Sequence, residues 1–184
     1  MLQLAITAML FCFCLMLIYG ALSDLTRFTI PNWVSYGLVL LFAVHTFVVW
    51  LNTPYFVPGL LPSLSFRLPP WTWNVFTGLF VLVISVIFWK LRYIGGGDVK
   101  FLSATALWMG IKNGAPFMIL VTAMALVLIF ALKFLRLWDP WFQSSPRVPL
   151  FFKQLLERAG AREIPYGLPV AVAALFFAPG MFAA

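Results

Sequence analysis

Residues 2–22 read LQLAITAMLFCFCLMLIYGAL, an apolar run without a single charge. A helix needs about 20 apolar residues to cross a bilayer's hydrocarbon core, so this run alone can span. It has no basic leading segment and no small-x-small cleavage site, and is read as a permanent first helix rather than a signal peptide. The rest of the chain repeats the theme. Hydrophobic residues make up 64% of the 184 residues and charged residues 9%. A soluble domain carries about 25% charged residues. The predicted fold is therefore an all-α integral membrane protein, one membrane-embedded domain over residues 1–184.

Outward from the first run, further spans are predicted at Trp33–Leu51, Trp73–Leu91, Val99–Ile111, Ala115–Leu132 and Leu168–Phe182. The fourth is short and extends into the glycines before it or crosses only part of the bilayer. The last meets Pro179 and Gly180 near its exit. Six crossings put Arg27, Lys90, Arg92, Lys100, Lys133, Arg136, Arg147, Lys153, Arg158 and Arg162 on one side and Arg67 and Lys112 on the other. The positive-inside rule makes the first side cytoplasmic and leaves both termini outside. The net charge of +7 is thus a topology signal, with no nucleic-acid partner implied.

The outer loop Asn52–Pro70 is rich in Pro, Leu and Phe, and Trp71 and Trp73 suit an interfacial aromatic belt. In the long inner loop, Leu150–Ala159 puts Phe151, Phe152, Leu155 and Leu156 on one face and Lys153, Gln154, Glu157 and Arg158 on the other. A short amphipathic helix on the cytoplasmic leaflet and a solvated connector both fit that pattern.

Of five acidic residues, Asp139, Glu157 and Glu163 fall in the inner loop. Asp24 and Asp98 fall at membrane edges, and two crossings between them return both to the cytoplasmic face. Carboxylates at such depth are costly and are paired or functional. Two brought close share a proton, and such a pair can activate a water while polarising a carbonyl. Taken singly, Asp24 reads as marking where a helix meets the headgroups and Asp98 as the N-cap of the fourth helix; their placement on one face weakens both readings. Gly95-Gly96-Gly97 before Asp98 would let another chain approach closely or form an ordinary loop. The absence of G-x-x-x-x-G-K argues against a phosphate loop. Cys12 and Cys14 lack the further ligands that zinc needs. His45 lies mid-helix. No metal or other cofactor is expected.

Three segments carry a resemblance: Ser23-Asp24 with Ile30-Pro31-Asn32, then Gly95-Gly96-Gly97-Asp98-Val99-Lys100, then Ile164-Pro165-Tyr166-Gly167-Leu168-Pro169. In this order they resemble the type IV prepilin peptidase family, membrane aspartic proteases of the GxGD type. The resemblance implies an aspartic endopeptidase of the inner membrane. It would cut prepilin leaders at the cytoplasmic face, with lipid and the prepilin as its partners. It implies Asp24 and Asp98 as the catalytic pair and Gly95 and Gly97 as the glycines of GxGD. Lys100 matches a basic position that often follows the motif. Gly96, Pro31, Asn32, Pro165 and Gly167 are the neighbouring candidates for substrate or loop roles. Larger members carry a cytoplasmic domain with Cys-x-x-Cys pairs and methylate the new pilin terminus. This chain has only a short segment between Asp24 and Pro31, and so resembles the short, cleavage-only form that serves tight-adherence (Flp-type) pili. Presenilin-like enzymes share GxGD, but their Tyr-Asp and Pro-Ala-Leu motifs are absent here.

Other classes remain open at this level. A small ion- or proton-coupled transporter would also use membrane carboxylates, but predicts inverted repeats and mid-membrane polar residues. A non-catalytic subunit of a pilus or secretion assembly would need neither aspartate.

Overall fold

The computed structural model describes residues 2–52, 70–137 and 165–182. The elements are α1 (Leu2–Arg27), α2 (Asn32–Asn52), α3 (Pro70–Lys90), α4 (Gly96–Arg136) and α5 (Gly167–Phe182). Among the described residues there is no strand. The Leu150–Ala159 segment and the loop between α2 and α3 lie outside the described residues.

α1, α2, α3 and α4 are each long and apolar enough to cross a membrane. α5 is a shorter apolar helix. Large apolar side chains stay exposed along all of them, among them Leu4, Phe11, Leu40, Val83, Ile119, Val127, Phe130 and Phe176. In water such a surface would aggregate. The pattern is consistent with a multi-pass membrane protein whose outer face meets lipid.

Two boundaries differ from the sequence reading. α1 runs on past the predicted span end at Leu22 to Arg27, and Asp24 stands in its last turn, at the end of the helix. The predicted fourth and fifth spans form one element, broken at Gly110 and not in the Lys112–Gly114 stretch. Gly110 has φ 60° and ψ −177°, backbone that only glycine adopts cheaply.

The chain reverses there. Gly78 of α3 lies against Leu107 before the break, and Gly114 after the break lies against Thr77. Asp98 and Leu102 then share a cavity with Val121, Ala125 and Ile129. In a straight helix Leu102 and Ile129 would stand roughly 40 Å apart, at about 1.5 Å per residue. The two limbs of α4 therefore pair as a hairpin against α3.

α5 packs against both α1 and α4, and α2 packs against the same two helices. Ala171, Ala173, Ala174 and Ala178 are buried along α5, and small residues let membrane helices approach closely. α1 and the first limb of α4 meet through large rings. The Phe101 ring sits on Gly20, where an added Cβ would come within 2.8 Å of it. Trp108 packs against Phe13 with ring centroids 4.7 Å apart and the planes tilted by 42°, and its Nε1–H donates to the Leu38 carbonyl of α2 at 3.1 Å. Phe13, Leu17, Val34, Leu38 and Phe101 are fully enclosed between these helices. This core aligns the ends of α1, α2, α4 and α5 that carry the site.

A Cβ on Gly110 would also stand 2.8 Å from the Asn74 amide oxygen. Gly110→Ala should therefore destabilise the protein by about 1–3 kcal/mol, read as a lower unfolding midpoint in detergent. Gly96→Ala, whose Cβ would meet only Trp89 at 3.5 Å, should stay within about 0.5 kcal/mol of wild type.

Candidate active site

Asp24 is reached by the chain's own geometry before any ligand is considered. The last turn of α1 carries it inward, and it is 4% exposed. The chain then leaves the helix at Phe28, which has φ 54°. The Ser23 hydroxyl donates to the Thr29 carbonyl at 2.9 Å and holds this exit. Pro31 follows and α2 restarts at Asn32. Proline lacks an N–H and its ring disfavours helix in the residue before it, which is why the backbone bends here.

A buried carboxyl needs donors, because leaving one unpaired costs several kcal/mol on the order of a lost charged hydrogen bond. Asp24 has one from another helix. The Gly167 N–H, at the start of α5, donates to Asp24 Oδ2 at 2.6 Å. The N-terminal N–H groups of a helix lack partners within it and favour a negative charge. The approach needs glycine: a Cβ there would lie 2.9 Å from both Cβ and Oδ2 of Asp24 and 3.1 Å from Cδ1 of Ile30. Pro165, just upstream, is fully buried.

Asp98 is held differently. Gly95 is the N-cap of α4 and Asp98 its third helical residue. The Asp98 carboxyl reaches back so that the Gly95 N–H donates to its Oδ2 at 3.3 Å, the acidic half of a capping box. Asp98 is therefore not the N-cap that the sequence allowed. Gly96 and Gly97 belong to the first helical turn rather than to a loop. Gly95 and Gly96 are exposed, whereas Gly97 is occupied by the fold itself, its open side facing the Ile30 backbone. A Cβ on Gly95 would come within 2.9 Å of Asp98 Oδ2.

The two carboxyls lie within electrostatic reach of each other, since the charge of Asp24 acts on Asp98. Ile30 touches both Gly97 and Gly167, and so links the two halves. The Lys100 ammonium donates to Asn32 Oδ1 at 2.9 Å. That bond ties the start of α2 to the first turns of α4. Lys100 and Asn32 are exposed and Pro31 is half-buried. The structure thus gathers Asp24, Asp98, Gly95, Gly96, Gly97, Lys100, Pro31, Asn32, Pro165 and Gly167 at one end of the bundle.

One neighbour was not singled out from the sequence. Tyr166 precedes Gly167, is half-buried, and lines the same cavity as Asp98. Burial and the Asp98 charge push its hydroxyl above the ordinary phenol pKa, so it is a protonated donor at neutral pH. It lay within the quoted Pro165-Tyr166-Gly167 segment, and its proximity to Asp98 is the signal that only three-dimensional structure supplies.

The cavity measures about 390 Å³ and opens between α3, the two limbs of α4 and α5. Apart from Asp98, its wall is made of uncharged side chains such as Ile84, Phe88, Leu102, Val121 and Ala125. Among the described residues, no three His, Cys, Asp or Glu side chains gather as metal ligands would.

No curated protein and no solved structure matches the chain. A family model does, over residues 11–132. That range includes both aspartates, Pro31-Asn32, the Gly95–Gly97 segment and Lys100, and ends before α5. A match over well over half of the 184 residues, joined to this arrangement of carboxyls, identifies the protein: it belongs to the type IV leader peptidase family.

Proposed function

We propose that the protein cleaves the leader of type IV or Flp-like prepilins at the cytoplasmic face of the inner membrane, as a two-aspartate endopeptidase of the GxGD type. The observation that carries the reading is the pairing of Asp24 and Asp98 within a leader peptidase family member. The two carboxyls stand at one end of an apolar bundle, beside an apolar cavity. A substrate with an aqueous leader and a lipidic helix would present its junction at such a place. The short link between α1 and α2 favours the cleavage-only form, without methyltransferase activity.

In this reading a water sits between the carboxyls. Each is oriented by a backbone N–H on Oδ2, which leaves Oδ1 to the water and the substrate. The pair shares one proton, because two charges this close cannot both be cheap in a low dielectric. The ionised member takes a proton from the water as its oxygen attacks the scissile carbonyl carbon. The protonated member gives its proton to the carbonyl oxygen. Collapse of the tetrahedral intermediate returns one hydroxyl proton to the aspartate that gave it and breaks the C–N bond, and the leaving nitrogen takes the proton that the other aspartate had drawn from the water. The two roles belong to the coupled pair rather than to fixed residues. Gly95 and Gly96, exposed beside Asp98, would receive the extended leader. Lys100, through Asn32, would hold α2 in register with Asp98.

The same reading takes residues 1–184 as one peptidase domain with six spans and both termini outside. The reversal at Gly110 supports it, since each limb of α4 would then cross separately. It expects Lys112 to face the outer side. In a background with Cys12 and Cys14 replaced, Lys112→Cys in intact cells should react with a membrane-impermeant maleimide, while Lys100→Cys should react only after permeabilisation. Labelling of both from outside would refute the topology.

Purified enzyme in detergent, mixed with a prepilin, tests the chemistry directly. Asp24→Asn and Asp98→Asn should each lower cleavage by about a thousandfold or more while the protein stays folded, and Asp139→Asn should change it by less than about twofold. Cleavage at the wild-type rate by either site variant would sink the dyad. Gly167→Ala should lower kcat by about a hundredfold, because the new methyl must displace the Asp24 carboxyl; an unchanged rate would show that the α5 contact does not orient it.

A further inference from the structure

The dipeptide Tyr166-Gly167 faces two ways. The Gly167 N–H is clamped on Asp24 at 2.6 Å, and no side chain fits between them. The Tyr166 carbonyl accepts from the Val170 N–H at 3.3 Å, in the first turn of α5. Pro165 behind it is fully buried. The backbone of Tyr166 is therefore held on both sides by the structure that holds Asp24. Its ring lines the cavity wall together with Asp98, Leu102 and Val170. The residue is thus anchored next to the contact that holds Asp24 and lines the cavity that Asp98 shares.

A phenol has one O–H to donate. Ser85, Tyr93 and Thr122 are the other hydroxyls of a wall that is otherwise aliphatic and aromatic; Tyr166 lies close enough to Asp98 to feel its charge and shares with it the cavity where that carboxyl would meet a substrate. Charge develops there on the carbonyl oxygen as a peptide becomes tetrahedral. Donors fixed in advance at such a position act far more strongly in a dry site than in water.

Building on the dyad reading above, we infer that Tyr166 is a further catalytic residue, whose hydroxyl donates a hydrogen bond to the scissile carbonyl oxygen as it gains charge in the tetrahedral transition state. No proton is transferred by it. The water's proton goes to the ionised aspartate and the carbonyl oxygen receives its proton from the other. The Tyr166 O–H bond stays intact throughout and only its hydrogen bond strengthens. The same donor keeps the oxygen beside Asp98 and turns the carbonyl carbon toward the water.

The test is Tyr166→Phe, which keeps the ring and removes only the hydroxyl, assayed with a prepilin in detergent beside wild type, Asp24→Asn and Asp98→Asn. The inference expects kcat to fall about 100- to 1,000-fold, KM to stay within about twofold, and the unfolding midpoint to be unchanged. A rate within twofold of wild type would overturn it. So would a loss carried by KM alone, which would make Tyr166 a ground-state substrate contact, or a loss matched by unfolding, which would make its role structural. If Tyr166→Phe is normal while both Asn variants are dead, the Tyr166 inference alone fails. If wild type cuts no prepilin, the function proposed above fails instead. Tyr166→Leu adds a control for packing: should it misfold, the Phe variant still decides the matter.

Discussion

The hydrogen bond from the Gly167 N–H to Asp24 Oδ2 is the contact on which the site depends. It satisfies a carboxyl enclosed in an apolar bundle, where an unpaired charge would be costly. It also joins the end of α1 to the start of α5, two elements 143 residues apart. Every neighbouring feature serves that approach. The alanines of α5 let it lie close to its partners. Gly167 carries no Cβ, which would otherwise stand 2.9 Å from Asp24. The Phe28 exit and Pro31 turn the chain back so that Ile30 can wedge against Gly167 and Gly97 together.

The second constraint comes from the solvent. Lipid offers no hydrogen bonds, so backbone at membrane depth must stay helical unless protein covers the interruption. α4 is interrupted once, at Gly110, which is buried against α3 beside Asn74. Folding back at that point lets both limbs pack on α3 and opens the cavity whose wall Asp98 shares. The break that shapes the bundle and the cavity that receives the acid are consequences of one glycine with positive φ. Trp108, hydrogen-bonded to the Leu38 carbonyl and packed against Phe13, fixes the first limb's height against α1 and α2.

Much of this was legible in residue order. The charge-free run at residues 2–22 and the low charge content declare the lipid environment, because apolar length maps directly onto bilayer thickness. The glycines before Asp98 and the proline after Asp24 mark where helices begin and end. Boundaries were less legible. α1 continues past Leu22 because the polar Ser23 and Asp24 find partners in Thr29 and Gly167 that only the folded chain provides. Polarity in the sequence points to the Lys112–Gly114 stretch, whereas the backbone breaks at Gly110, because polarity is visible in a sequence and a positive φ is not.

What the sequence by itself determined is therefore the medium, the helices and the residue types that could do chemistry. Periodicity, length and composition act locally and survive without tertiary contacts. The Asp98 cap on Gly95 is local to its own helix; what only the tertiary structure decided is that the start of α5 holds Asp24 and that Tyr166 shares a cavity with Asp98. Those relations depend on α5 packing between α1 and α4. Helix packing is set by side-chain shape across elements distant in the chain, which no local pattern records.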